Sequence, residues 1–242
     1  MLKTHRRKIY AATPGFSIIE LAIVLAVVST LLGGLLLSLS EVRESSNRTD
    51  ANNTMDDIKE ALYGFAQVNG RLPCPATTTS LGAEDPVNGG VCTERYGFLP
   101  WATLGLSGRT NADNLMVDGW LSPYRYNVSN ISASAFTTAG QMRALGIAAL
   151  APNLQICSAA ACGSVLFNSA PAVVVSLGAN FATFTSADER ANAGETTRNG
   201  YRHASNNNFV SSGYNEATFD DMITWLSPSI LFTRMIAAGQ LP

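Results

Sequence analysis

Few side chains in this chain are able to do chemistry, and their spacing narrows what that chemistry is. Four cysteines fall into two close pairs: Cys74 and Cys92 bracket seventeen residues, and Cys157 and Cys162 bracket four. Thiols so placed either bridge or bind a metal, and a zinc site built on them needs further thiolate or imidazole ligands. The chain has two histidines, His5 in its basic start and His203 in a stretch rich in asparagine and serine. Disulfides are therefore the expectation, with sequential pairing the simplest of the three connectivities that four cysteines allow. Such bridges form and persist outside a reducing cytoplasm. Paired acids stand at Asp56-Asp57 and Asp220-Asp221, but adjacent acids on a helix point to different faces, which does not suit paired acid–base work. The motifs G-x-S-x-G and H-E-x-x-H are absent, and Lys59 follows an aspartate at position 56 where an S-x-x-K site has its serine. His203, in its polar surroundings, reads as a solvated loop histidine. The chain is read as a non-enzyme.

One further group is out of place. Glu20 stands among Phe16, Ser17, Ile18, Ile19 and Leu21, at the head of an uncharged run of nineteen residues from Leu21 to Leu39. As a helix that run spans roughly 28 Å, close to a hydrocarbon core of about 30 Å, so a single membrane-spanning helix is expected. A carboxylate there costs about 2.5–3.5 kcal/mol unless it finds a partner. Lys3, Arg6, Arg7 and Lys8 precede it with no acid among them, which holds this end in the cytoplasm and places the rest across the membrane.

Gly15-Phe16-Ser17-Ile18-Ile19-Glu20-Leu21, after a short basic leader and entering an apolar helix, resembles the processing motif of type IV prepilins and type II secretion pseudopilins. The resemblance implies that residues 1–15 are a leader removed by a prepilin peptidase after Gly15. Phe16 is then the N-methylated new N-terminus, and Glu20 supports assembly. Two other readings compete. A secretory signal cut after Ser40 would leave Glu41 as the N-terminus, and a plain signal anchor holding an unrelated ectodomain would keep Met1.

Behind the leader, 12 basic residues face 18 acidic ones, a formal charge of −6, and Lys59 is the only lysine. That balance does not favour phosphate-backbone binding, so no nucleic-acid partner is expected. The polar residues 41–53 contain neither proline nor glycine, and Met55, Ile58, Leu62 and Phe65 then form an apolar stripe at helical spacing. Asn69-Gly70 and Pro73 supply the stop. One helix is thus expected to run from the membrane into the body of the protein, with residues 16–40 as its transmembrane half and 41–70 as its spine.

Residues 71–242 form the expected globular head. From Arg71 the pattern changes to short apolar runs broken by turn residues. Ala172–Leu177 predicts a strand buried on both faces, and the alternation from Tyr124 to Val128 a half-exposed one. Ala144–Leu150 suits either strand or helix, while 77–90 and 186–212 read as loops. Ser227-Pro228 predicts the start of a C-terminal helix that Gly239 ends.

Three head segments extend the resemblance. Residues 118–126 are similar to the D-x-W-G-x-P-Y-x-Y segment of major pseudopilins, with Leu121 in place of its glycine; Ser176-Leu177-Gly178-Ala179-Asn180 is similar to S-x-G-A-D-G; and 220–225 to the D-I-x-x-W close. Calcium is the one cofactor this suggests, with Asn180, Asp220 and Asp221 as the ligands implied by position. Thr218 and Asp221 also read as a helix-capping pair. The expected architecture is α+β: a long N-terminal helix on an antiparallel sheet, with a C-terminal helix. The implied partners are the peptidase, sister pilins, and the inner-membrane assembly platform with its ATPase. The expected location is the inner membrane, N-terminus cytoplasmic and head periplasmic, and later a filament. A minor or competence-type pilin that binds DNA or a surface is the alternative within the class.

Overall fold

The computed structural model describes residue 15 and residues 17–184, 186–204, 206–216 and 218–242, without the side chains of 34–40 and 133. The chain divides into two compact units, Met1–Ser46 and Asn47–Pro242, and the helix α1, Ile18–Asn69, contributes to both. Among the described residues no helix is long and apolar enough to cross a membrane. The apolar run of the sequence passes through 34–40, whose side chains lie outside the described set.

In the second unit the elements run in the order β1 (Tyr96–Phe98), α2 (Trp101–Leu104), β2 (Arg125–Val128), α3 (Ile131–Ser134), α4 (Gln141–Leu145), a 3-10 turn (Ile147–Ala149), β3 (Leu154–Cys157), β4 (Val165–Ala170), β5 (Ala172–Ser176), α5 (Ala187–Ala193), β6 (Thr196–Arg198), β7 (Tyr201–His203), β8 (Asn208–Val210), β9 (Met222–Trp225) and α6 (Pro228–Ala237). The class is α+β, as expected, but the strands make three sheets. The first, in the order β1-β2-β5-β9, is antiparallel throughout. The second, β4-β3-β8, is mixed, because β3 pairs with β8 in parallel. The third is the hairpin β6-β7.

The expected stripe of α1 is the side that enters the core. Met55, Ile58 and Leu62 are buried and are joined by Ala51, Tyr63 and Ala66, while Phe65 is half-buried. Fully burying a side chain such as Ile58 or Leu62 contributes about 1.5–3 kcal/mol. They pack against Tyr126, Val128, Ala172 and Val174 of the first sheet, against Tyr124 just before β2, and against Leu231 and Met235 of α6. The alternate residues of β5, Val173 and Val175, face the opposite way onto Leu154, Ile156 and Phe209 of the second sheet. β5 is thus buried on both faces, as its unbroken apolar run requires. β2 corrects the expectation of half-exposure: all four of its residues are buried, Arg125 and Asn127 included.

What covers them lies in the stretch 186–212, expected as loop. It contains α5, β6, β7 and β8. Two local signals underlie this: Ser186 and Glu189 close a reciprocal capping box at the start of α5, and Asn199-Gly200, both at positive φ, turn the β6-β7 hairpin. Residues 144–150 resolve into the end of α4 and the 3-10 turn. At the C-terminal helix Pro228 takes the first position, but the Ser227 side chain makes no cap; its N–H donates to the Tyr63 hydroxyl of α1 instead.

The end of α1 is locked by a buried ion pair. Gly70, at φ +66°, turns the chain out of the helix, and the next residue, Arg71, meets Glu84 through two hydrogen bonds of 2.7 and 2.6 Å. Both side chains are over nine-tenths buried. Glu84 also accepts from the N–H groups of Cys74 and Asn88, and the Cys74–Cys92 disulfide closes the same loop. Removing one partner leaves a buried charge uncompensated. Glu84→Ala is expected to lower the unfolding free energy by about 3–5 kcal/mol, and loss of the Cys74–Cys92 bridge by about 3 kcal/mol. Urea unfolding of the full chain and of each variant measures both, and a Glu84→Ala cost below that of the disulfide would refute the central role given to the pair.

Candidate functional site

The N-terminal motif lies in the first unit. Gly15 is exposed and precedes the helix; Phe16 lies outside the described residues. Ser17 begins α1: its carbonyl accepts from Leu21 N–H and its hydroxyl from Ile19 N–H. That makes Ser17 the cap and Glu20, three residues on, the carboxylate of the first turn, where it favours the positive end of the helix dipole. The S-x-x-E spacing is itself a capping signature, and it gives Glu20 a local role beside the one implied by resemblance. Glu20 is exposed, and so are the large apolar residues beyond it, from Leu21 and Ile23 to Leu31 and Leu32.

In the second unit the three segments singled out in the head come together. Asp118 is buried; one carboxylate oxygen accepts from Trp120 and Ser122 N–H, and the other from the Ser176 hydroxyl at 2.5 Å. Burial pushes its pKa up to about 6, against the pull of those hydrogen bonds. Leu121, in the turn that Asp118 organises, has φ +73°, the region a glycine occupies without a Cβ penalty. Ser176 pairs with Met222 across β5 and β9, which places the turn after β5 beside the residues leading into β9. There Asp220 accepts from Ala179 and Asn180 N–H, at 2.7 and 3.2 Å. Gly178 at the apex has φ +62°, and a Cβ on it would stand 2.5 Å from the Asp220 carboxylate, so this approach needs glycine. The helix-cap reading of Thr218 and Asp221 is corrected: the element that begins at Met222 is the strand β9.

Asn180, Asp220 and Asp221, the residues implied as calcium ligands, each keep one buried oxygen, Oδ1, with no hydrogen-bond partner. Asn180 donates to Glu189 Oε1 at 2.6 Å, and Asn192 donates to Asp221 Oδ2 at 2.8 Å. Glu189 is fully buried, and neither Asp220 nor Asp221 is paired with a lysine or arginine among the described residues. Burial raises the Asp221 pKa well above the ordinary carboxylate range, opposed by the Asn192 hydrogen bond and reinforced by the charges of Asp220 and Glu189. Among the described residues no three His, Cys, Asp or Glu side chains gather as a metal site, so the candidate set is two carboxylates and an amide oxygen. Oxygen donors are the kind Ca²⁺ takes, and it takes about six to eight of them where this set supplies three. Glu189 and Asn192, on α5, were missed in the sequence because that stretch read as loop.

The cysteines pair as expected, Cys74 with Cys92 and Cys157 with Cys162. The second bridge sits at the β3-β4 turn, and the N–H of Ala160 in that turn donates to Asp188 of α5. His203 corrects the reading of a solvated histidine: it is buried at the end of β7, with Nδ1 at 3.2 Å from both the Tyr96 carbonyl oxygen and Glu94 Oε2. Asp56, on the exposed side of α1, pairs with Lys59.

No protein-family model matches this chain, and neither a curated protein nor a solved structure matches it.

The acid cluster sets a pH dependence with a definite sign. A carboxyl whose folded pKa lies above its unfolded value loses stability as pH rises past the unfolded value. His203, whose pKa burial lowers, acts the other way and costs stability as pH falls below about 6.5. Comparing wild type with Asp221→Asn at each pH cancels the histidine. In a chelator the two are expected to melt alike near about pH 4, and the variant higher near about pH 8. Calcium at about a hundredfold excess over its Kd is expected to raise the wild type by roughly 5–10 °C and leave the variant unmoved. Equal melting of the wild type in calcium and in chelator would remove calcium from the site.

Proposed function

We propose that this chain is a pilin-like structural subunit, processed by a prepilin peptidase and assembled into a type IV pilus or type II secretion pseudopilus. The observation that carries the reading is the contrast within α1. From Ala51 to Ala66 one side is buried in a hydrophobic core, whereas the apolar residues from Ile18 to Leu32 are exposed, with Ile18 at 89% and Leu31 at 62%. So much exposed apolar surface on one helix calls for a covering of lipid or of other apolar helices. In a pilin-like cycle it receives both in turn: lipid while the subunit waits in the inner membrane, and neighbouring helices in the filament core. The two disulfides suit a head on the oxidising side of that membrane.

In this reading Gly15 ends the leader and Phe16 becomes the new N-terminus. Its α-amino group would be four residues from Glu20, and could pair with it within one subunit or, on assembly, with Glu20 of an incoming one. The assembly platform and its ATPase would draw the subunit out of the membrane. If calcium binds the head, it would neutralise Asp220 and Asp221 and tie the turn after β5 to the entry of β9.

The test begins at the N-terminus of the mature chain expressed with a prepilin peptidase. Phe16 is expected; Glu41 would indicate a secretory signal and Met1 an uncleaved anchor, and either would reject the reading. Glu20 then separates capping from assembly. Glu20→Gln keeps a side-chain oxygen at the capping position and loses the charge, whereas Glu20→Ala loses both. Both variants are expected to be cleaved and inserted normally, yet to enter sheared filaments at well under a tenth of their membrane share when co-expressed with wild type, on the order of the loss of one desolvated charge pair. Proportional entry of Glu20→Gln would assign Glu20 to the helix cap alone.

A further inference from the structure

The β6-β7 hairpin is a sheet of its own: its strands pair with each other and join neither larger sheet. Side chains fasten it to the outer face of the first sheet. Glu94, just before β1, takes both strands at once, Arg198 of β6 at 2.9 Å through Oε1 and His203 of β7 at 3.2 Å through Oε2. The Tyr201 hydroxyl donates to Asp113 at 2.7 Å and accepts from Asn111 at 2.8 Å, and its ring meets that of Phe98 edge-on. Asn199, in the turn, donates to the Thr78 hydroxyl.

Of these groups His203 is the one whose ordinary pKa lies between about pH 5 and 8. Its geometry suits the neutral ring alone. Nδ1 lies 3.2 Å from the carbonyl oxygen of Tyr96, which can only accept, so Nδ1 carries the proton. A second proton would have to go on Nε2, which is buried and has no partner. The cleft that His203 lines with Arg125, Asn127 and Arg202 has no room for a water molecule to accept from it. A buried donor left in this way is costly. The charges are adverse as well: Glu94 faces the ring from before β1 and is already engaged by Arg198 of β6, while Arg125 of β2 and Arg202 of β7 add positive charge. The end of α5, Ala193-Gly194, brings none, and Gly194 packs on the His203 carbonyl. Burial, with Arg125 and Arg198, thus holds the imidazole pKa below its ordinary value against the pull of Tyr96 and Glu94. We infer that the β6-β7 hairpin is an acid-released latch: protonation of His203 at Nε2 unseats it from Glu94 and Tyr96 and bares Phe98 and Arg125 on the outer face of the first sheet. The core on the α1 side contains none of these residues and stays closed.

The sign separates His203 from the buried acids. Asp118, Asp220 and Asp221, whose pKa values are raised, favour the closed head as pH falls, whereas His203 opposes it. Hydrogen exchange of the full chain in detergent, corrected for the intrinsic effect of pH, is followed by mass spectrometry. Protection of the hairpin is expected to fall about tenfold between about pH 7.5 and about pH 5, the histidine of the open hairpin titrating near about 6.5. Protection of β5 is expected to hold. His203→Gln, or His203→Phe where the first fails to fold, takes no second proton and is expected to protect the hairpin equally at both pH values. Hairpin protection that does not change with pH in the wild type would overturn the latch. So would an equal loss in β5, which is unfolding of the whole head, and so would an undiminished loss in the His203 variant, which assigns the effect to another group.

Discussion

The head depends on one requirement: the side of α1 from Ala51 to Ala66 has to be kept from water. A single face of a helix cannot be covered by a strand pair, and here it takes both the first sheet and α6 to do so. The remaining order derives from that demand. The central strand β5 has to be apolar on its α1 side, through Ala172 and Val174, and because the second sheet covers its other side, on that side too, through Val173 and Val175. α6 has to return to α1 after β9, and it is anchored there by the Glu60–Arg234 ion pair and by Tyr63 reaching Ser227. The ion pair is exposed and adds little by itself. Position comes from Leu231 and Met235, which are buried against the helix.

The outer face of the first sheet obeys a different rule. Its residues include Arg125 and Asn127, and the segments beside it include Asp220 and Asp221, all buried. A sheet meant to face solvent on this side could carry them without cost. Covering it with the insert takes them out of water and makes each one a demand for a partner. Some demands are met within the chain: Asp220 Oδ2 by the N–H groups of Ala179 and Asn180, and Asn192 by both the N–H and the carbonyl of Val210, in the manner of a strand neighbour. Others are not: Oδ1 of Asn180, Asp220 and Asp221 lacks a partner, and so do buried nitrogens of Arg125, Asn127 and His203 and the Oε2 of Glu94 beside His203.

That division also explains what could be read from the sequence. The stripe of α1, the double burial of β5, the stop at Asn69-Gly70 and the proline start of α6 all rest on local periodicity or turn chemistry, and the structure carries them. The disulfide partners could be inferred from proximity in the chain. Burial of β2 could not be read in this way, because the alternation of Tyr124, Tyr126 and Val128 with polar residues is what a solvated strand would also show, and its cover lies some seventy residues downstream. The parallel pairing of β3 with β8 is likewise a long-range fact. Other misses were legible: the Ser186-x-x-Glu189 box, the Asn199-Gly200 turn and the Ser17-x-x-Glu20 cap each carry a known local signal, and a stretch dense in Asn, Gly and Arg was read by its composition before its spacing. His203 was judged by those same neighbours.

The two sides of the first sheet therefore bear different kinds of control. On the α1 side the core is mainly hydrocarbon, which depends little on ions or pH. On the outer side His203, Asp220 and Asp221 tie stability to pH. The insert and the core that holds α1 lie on opposite faces of the first sheet. The insert comprising α5 and the β6-β7 hairpin is thus the part of the head whose order is conditional, and its chemistry, more than that of the sheet beneath it, distinguishes this chain from a minimal helix-on-sheet head.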